Sequence, residues 1–122
     1  MKFGDYLKDK REKSNLKAKV AAKNWKISPG YLSSLENGKR SAPSFDLLTE
    51  IADSLELSEK DRNKLYDLAA ESKDPPELPR DITEYVYQNP VIRDLLRYAM
   101  TCKLQEKEWN VIFNFVKNNY KY

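Results

Sequence analysis

Leu16–Pro43 reads LKAKVAAKNWKISPGYLSSLENGKRSAP, and its local chemistry decides the fold. Val20, Ala21 and Ala22 give a first helical segment a small-residue face that a second helix can approach closely. Ser28 is placed to cap that second helix, and Pro29 suits its first position, where a missing N–H costs nothing. Tyr31, Leu32 and Leu35 then make one apolar face, so Ser33 and Ser34 are expected to point away from it. Asn37-Gly38 is a helix stop, and Lys39-Arg40 follow directly. The pattern is a helix, a tight turn, a second helix, a glycine stop and a pair of cations.

Outward from this stretch the periodicity stays helical. Lys2 to Lys13 predicts a preceding helix with Phe3, Tyr6 and Leu7 inward and Lys8, Lys10, Arg11 and Lys13 exposed. Lys17 to Asn24 and Ser28 to Asn37 are the two helices of the central stretch, and Gly38 to Pro43 is a loop carrying both cations. Ser44 caps a fourth helix whose core positions are Leu47, Leu48, Ile51, Ala52 and Leu55. Ser58 starts a fifth, with Glu59 and Asp61 where negative charge suits the helix dipole and Leu65, Leu68 and Ala69 buried. Five helices thus account for residues 2–72.

A boundary follows. Lys73-Asp-Pro-Pro-Glu-Leu-Pro79 holds three prolines in seven residues, which forbids a continuing helix and reads as a stiff connector over 73–80. Residues 81–122 form a small helical module. Asp81-Ile-Thr-Glu84 has the form of a capping box for a helix to Gln88, and Asn89-Pro90 is a further start signal. A helix from Val91 to about Cys102 carries Ile92, Leu95, Leu96 and Ala99. The last, from about Gln105 to Asn119, carries Trp109, Ile112, Phe113 and Val116. Some forty residues are too few to bury these large side chains alone, so they pack on the front domain or on a second copy. The second copy is the favoured reading, with Leu95, Leu96, Trp109, Ile112, Phe113 and Val116 as the dimer interface.

Composition narrows the function. The 122 residues contain no histidine, one cysteine and three glycines. Imidazole catalysis and most transition-metal sites are thereby removed, and glycines scattered at 4, 30 and 38 make no phosphate-cradling loop. No pair of carboxylates is set apart by spacing, so no enzyme activity, metal or cofactor is expected. No apolar run approaches the ~18 residues that span a bilayer, and no signal-peptide pattern opens the chain. The lone Cys102 suits a reducing cytoplasm, and its bland reading is a small apolar helix residue. The net charge of +3 conceals an asymmetry. Residues 1–40 hold eleven Lys/Arg against four Asp/Glu, a balance of +7; residues 41–122 hold eleven against fifteen, a balance of −4. A solvated basic face is the plain alternative, but the excess coincides with the helix-turn-helix pattern and points to an anionic partner.

Phe3 to Leu57 resembles the Xre/Cro-type, phage-repressor-like helix-turn-helix family of DNA-binding regulators. The resemblance rests on Ile27-Ser28-Pro29, Tyr31-Leu32-Ser33, Leu35-Glu36-Asn37-Gly38-Lys39-Arg40, Pro43-Ser44 and the run Leu47-Leu48-Glu50-Ile51-Ala52-Leu55. It implies an all-α, five-helix lambda-repressor-like domain over 1–72. The chain departs from the family in three places. Lys26 stands where Gly is usual, at a cost of roughly 1–2 kcal/mol if the turn needs left-handed geometry. Ala18 stands where a polar, phosphate-touching residue opens the helix, and Trp25 where Leu is usual.

The resemblance further implies that Ser28, Gly30, Ser33 and Ser34 face base edges. Lys17, Lys19, Tyr31, Asn37, Lys39 and Arg40 would meet the DNA backbone. The partner is then double-stranded DNA, bound in the major groove by a homodimer that represses a prophage, mobile-element or toxin–antitoxin operon. A protein-binding antitoxin or inhibitor that keeps the fold, meeting a cognate toxin through its C-terminal helices, is the alternative.

Overall fold

Three helices begin on a serine whose hydroxyl accepts the backbone N–H three residues on. Ser28 accepts from Tyr31 at 3.0 Å, Ser44 from Leu47 at 3.3 Å and Ser58 from Asp61 at 3.1 Å. Each cap satisfies an orphan donor of the first turn and stabilises its helix by about 1 kcal/mol. The computed structural model describes residues 1–122 as eight helices with no strand. They are α1 (Phe3–Lys13), α2 (Ala18–Asn24), α3 (Pro29–Glu36), α4 (Phe45–Ser54), α5 (Glu59–Glu71), α6 (Arg80–Gln88), α7 (Pro90–Thr101) and α8 (Glu106–Asn119). The chain divides into two compact units, Met1–Ile82 and Thr83–Tyr122.

In the first unit α2 and α1 both pack on α3, and α5 packs on α1 and α4. Leu7, Leu32, Leu35, Ile51 and Leu65 are fully enclosed, one or two from each of four helices. Ala21 and Ala22 let α2 sit close, whereas Val20, expected on the same face, is exposed because it turns to the solvent side of the helix. Trp25 is buried in the core and donates its indole N–H to Ser54 Oγ at 3.0 Å. A buried indole thereby keeps its one donor satisfied. Tyr6 places its hydroxyl 3.3 Å from the Asp61 carboxylate, and burial together with that charge pushes its pKa up to about 12.

Five helices stop in one way. The N–H two residues past the helix cap reaches back five residues: Leu16 to Arg11 O, Ile27 to Ala22 O, Lys39 to Ser34 O, Leu57 to Ala52 O and Leu104 to Ala99 O. This Schellman closure places the preceding residue at positive φ. The residues there are Asn15, Lys26, Gly38, Glu56 and Lys103, and only Gly38 (φ +77°) is glycine. Lys26 has φ +57°, so the turn between α2 and α3 does require left-handed geometry of a residue with a Cβ. Lys26→Gly is expected to raise stability by up to about 1 kcal/mol in urea unfolding, since it removes that strain. A loss of stability would show that the lysine stem contributes more packing than its backbone costs.

Arg11 was expected among the exposed cations and is instead buried, 7% exposed. It lies four residues from Leu7 and eight from Phe3, on the stripe that faces α3. Past α5 the proline-rich segment is held to the first unit, with Glu77 N–H donating to Ala70 O at 3.1 Å and Pro79 buried. α6 begins at Arg80, one residue before the Asp81 at which the capping box was expected to start, which puts Asp81 inside the first turn. Asn89 does precede α7 and Pro90 is its first residue. Its side chain makes no cap, however, and donates to Tyr85 O at 2.8 Å to close α6.

The second unit is thinly packed. Ala99 is its one buried residue; Ile92, Leu104, Trp109 and Ile112 are half-buried. Leu95, Leu96, Phe113 and Val116 are exposed.

Candidate nucleic-acid interface

α3 turns Leu32 and Leu35 into the core and the opposite side outward. Gly30, Ser33, Ser34 and Asn37 fall at i, i+3, i+4 and i+7, so they share the outward face. Gly30, Ser33 and Asn37 are exposed, Ser34 is half-buried, and Ser28 is exposed at the capped end. Nothing lies within 4 Å of where a Cβ would sit on Gly30. A flat, small-residue surface results, able to approach another molecule closely. Ser28 uses its oxygen as acceptor for Tyr31 N–H, and Ser33 Oγ accepts from Asn37 Nδ2 at 3.2 Å. Asn37, expected at phosphates, thus commits one amide hydrogen to its own helix.

Cations precede and follow α3 in the chain. Lys17, Lys19, Lys23, Lys26, Lys39 and Arg40 are all exposed, and none takes part in the ion pairs of the first unit. Residues 14–35 contain no Asp or Glu at all. Lys17 precedes α2, and its ammonium, a donor only, takes no part in capping the helix. Lys23 was not singled out from the sequence and Lys26 only as a turn residue, although Lys19 and Lys23 stand one turn apart on the same side of α2. The signal was the acid-free run itself.

The loop carrying Lys39 and Arg40 is fixed at both ends. At its start Lys39 N–H and Arg40 N–H both donate to Ser34 O, at 2.9 and 3.2 Å. At its end Ala42 N–H donates to Ser72 Oγ at 3.1 Å, and Lys73 Nζ donates to Ala42 O at 2.6 Å. The Arg40 guanidinium lies 5.3 Å over the Tyr31 ring, which draws it back along α3. The Tyr31 ring is half-buried.

Behind the face, Arg11 locks α1 to α3. Its Nε and Nη2 donate to the two carboxylate oxygens of Glu36, at 2.7 and 3.0 Å, and Nη1 donates to Leu16 O at 2.8 Å. The hydrogen bond to Glu36 raises the Arg11 pKa above its usual value. Gly4 allows α1 to come this close: a Cβ there would meet Leu35 O at 2.4 Å and Glu36 O at 2.6 Å. Neither Gly4 nor the Arg11–Glu36 pair was singled out from the sequence.

Two short helices joined by a tight turn, the second presenting a small-residue face between unpaired cations, define a helix-turn-helix DNA-binding domain. A family described as "Helix-turn-helix domain" matches residues 2–65, just over half of the chain, and the chain belongs to that family, of the Xre/Cro-like type. Neither the curated proteins nor the solved structures yield a match. No helix is long and apolar enough to cross a membrane.

Proposed function

We propose that this protein is a sequence-specific DNA-binding repressor that sets α3 in the major groove and acts as a homodimer. In this reading residues 1–72 are the DNA-binding domain and the helices beyond Pro79 hold two copies together. The operon served is that of a prophage, mobile element or toxin–antitoxin pair. The observation that carries the reading is the set of six exposed cations, none in an ion pair, that precede and follow α3 in the chain. Phosphates suit such a set of cations, and each one neutralised releases counterions.

Lys17, Lys19, Tyr31, Lys39 and Arg40 then hold the backbone, while Ser28, Gly30, Ser33 and Ser34 meet base edges. Serines and a glycine read weakly, so discrimination per base pair falls near the low end of ~1–3 kcal/mol. Two half-sites about 10 base pairs apart, and the shape of the DNA between them, supply the rest. Replacing Lys39 and Arg40 with Ala tests the phosphate assignment. Fluorescence anisotropy across a salt series should show weaker binding to every sequence, with the log–log salt slope reduced by about two for each protomer. A loss confined to one sequence at unchanged slope would place these residues on bases and sink the phosphate assignment.

The exposed apolar surface of Thr83–Tyr122 supports a second reading, an antitoxin or inhibitor that binds another protein there. It is separated from the first by whether substitutions on α3 or on α8 abolish the protein's effect on its own promoter.

A further inference from the structure

Ala42 sits two residues past Arg40 and is buried, and side chains at the end of α5 take up both of its backbone polar groups. Its N–H donates to Ser72 Oγ, and its carbonyl accepts from Lys73 Nζ. Ser72 is the residue that closes α5, and its hydroxyl donates in turn to Ala69 O at 2.6 Å. A hydroxyl is one donor with lone pairs to spare, so a single serine serves both groups. The Lys73 ammonium, a donor only, enters no ion pair and is spent on the Ala42 carbonyl.

These anchors are themselves held. Lys73 N–H and Glu77 N–H both donate to Ala70 O, at 3.3 and 3.1 Å, and Pro79 is buried. Further on, the Arg80 guanidinium lies 5.7 Å over the Phe45 ring and 3.5 Å from Asp46 Oδ1. Residues 72–80 thus meet 42–46 at Ala42, Phe45 and Asp46. The middle of the cation loop is less supported. Gly38, Arg40 and Ser41 are exposed and border a cavity that Leu68 and Glu71 of α5 also line. The loop takes its position from its two ends, Ser34 at one and Ser72 with Lys73 at the other.

From this we infer that Ser72 and Lys73 are positioning residues for DNA binding: by holding Ala42 they fix where the loop presents Lys39 and Arg40. The inference rests on the phosphate assignment above and adds to it the segment after α5, which reads from the sequence as a connector alone. A loop already ordered in the free protein loses little freedom when it meets phosphate, so the contact keeps more of its affinity. With Ala42 released, the same two cations still reach phosphates, but from a loop that must be ordered first. The loss then falls on affinity and not on the number of phosphates met, which sets the salt slope.

The test uses the full chain and a fluorescein-labelled DNA duplex of mixed sequence, with affinity read by anisotropy across a salt series. Ser72→Ala changes no charge; it should weaken binding about 3- to 10-fold, the worth of one hydrogen bond, at an unchanged salt slope. Ser72→Thr keeps the hydroxyl and should bind within about 2-fold of the parent. Lys73→Met should weaken binding about as much as Ser72→Ala. In a background carrying Lys39→Ala and Arg40→Ala, both losses should shrink to under about 2-fold, because the groups being positioned are gone. A Lys73 that touched phosphate itself would keep its full effect in that background and lower the slope by about one. Amide hydrogen exchange without DNA reads the anchor alone: Ala42 N–H should exchange at least about 10-fold faster in Ser72→Ala than in the parent. Losses that persist in the alanine background, or Ala42 exchange indifferent to Ser72, would overturn the positioning role. Binding by the Lys39→Ala, Arg40→Ala variant equal to that of the parent would overturn the phosphate assignment instead.

Discussion

Gly4→Ala is expected to destabilise the first unit by about 3 kcal/mol, the upper part of the range for forcing extra volume into a packed site. The sign is what makes this result informative. Gly4 is the second residue of α1, and alanine is ordinarily the better helix former, by up to about 1 kcal/mol in a helix interior. Here the new methyl would sit 2.4 Å from Leu35 O and 2.6 Å from Glu36 O. Both are backbone oxygens at the C-terminal end of α3, so neither can swing aside as a side chain would. α1 must back away, which opens the contacts of Phe3 and Leu7 and stretches the Arg11–Glu36 pair. Urea unfolding of parent and variant measures the effect. A change within about 0.5 kcal/mol would mean that α1 crosses α3 less closely than described.

The second large effect belongs to Arg11 and Glu36. The pair is bidentate and nearly enclosed, with side-chain exposures of 9% and 7%. Removing one partner strands the other's charge away from water, so Arg11→Met and Glu36→Leu should each cost about 3–5 kcal/mol. Taking out both charges together should cost far less than the sum, since a buried ion pair and an apolar pair of similar volume are often nearly equal in stability. A double-mutant cycle in urea reads this coupling directly. Single variants that lose less than about 1 kcal/mol would show that water reaches the pair. DNA affinity should fall in both single variants, because Glu36 ends α3 and the loop carrying Lys39 and Arg40 starts from that end.

What was legible in the sequence was local. Ser28, Ser44 and Ser58 each bond a backbone N–H three residues away, so a cap can be read from four consecutive letters. Leu32 and Leu35, or Leu48, Ile51 and Ala52, follow from the helical period alone. Gly38 announces its own left-handed turn. The supports of the candidate site are different in kind. Arg11 finds Glu36 across 25 residues, and Ala42 finds Ser72 and Lys73 across about 30. No window of helical length contains both partners.

Arg11 did leave a trace, since it continues the Phe3–Leu7 stripe, but a charged residue on an apolar stripe reads as a stripe ending. Gly4 left none, because a glycine in a helix carries no mark of what approaches it. Asn15, Lys26, Glu56 and Lys103 adopt left-handed backbone without being glycine. The apolar residue that follows each of them, Leu16, Ile27, Leu57 and Leu104, was the available clue. On α3, the outward position of Asn37 follows from its spacing to Gly30 and Ser33, whereas its bond to Ser33 does not.

Selection of binding sites from randomised double-stranded DNA, with the full chain at one fixed salt concentration, tests the DNA-binding reading most directly. The expected result is a palindromic motif whose half-site centres lie about 10 base pairs apart, lost when Lys39 and Arg40 are both alanine and altered at one position per half-site by Ser34→Arg. Recovery of no motif, or of a motif indifferent to every substitution on α3 and its flanking cations, would contradict it.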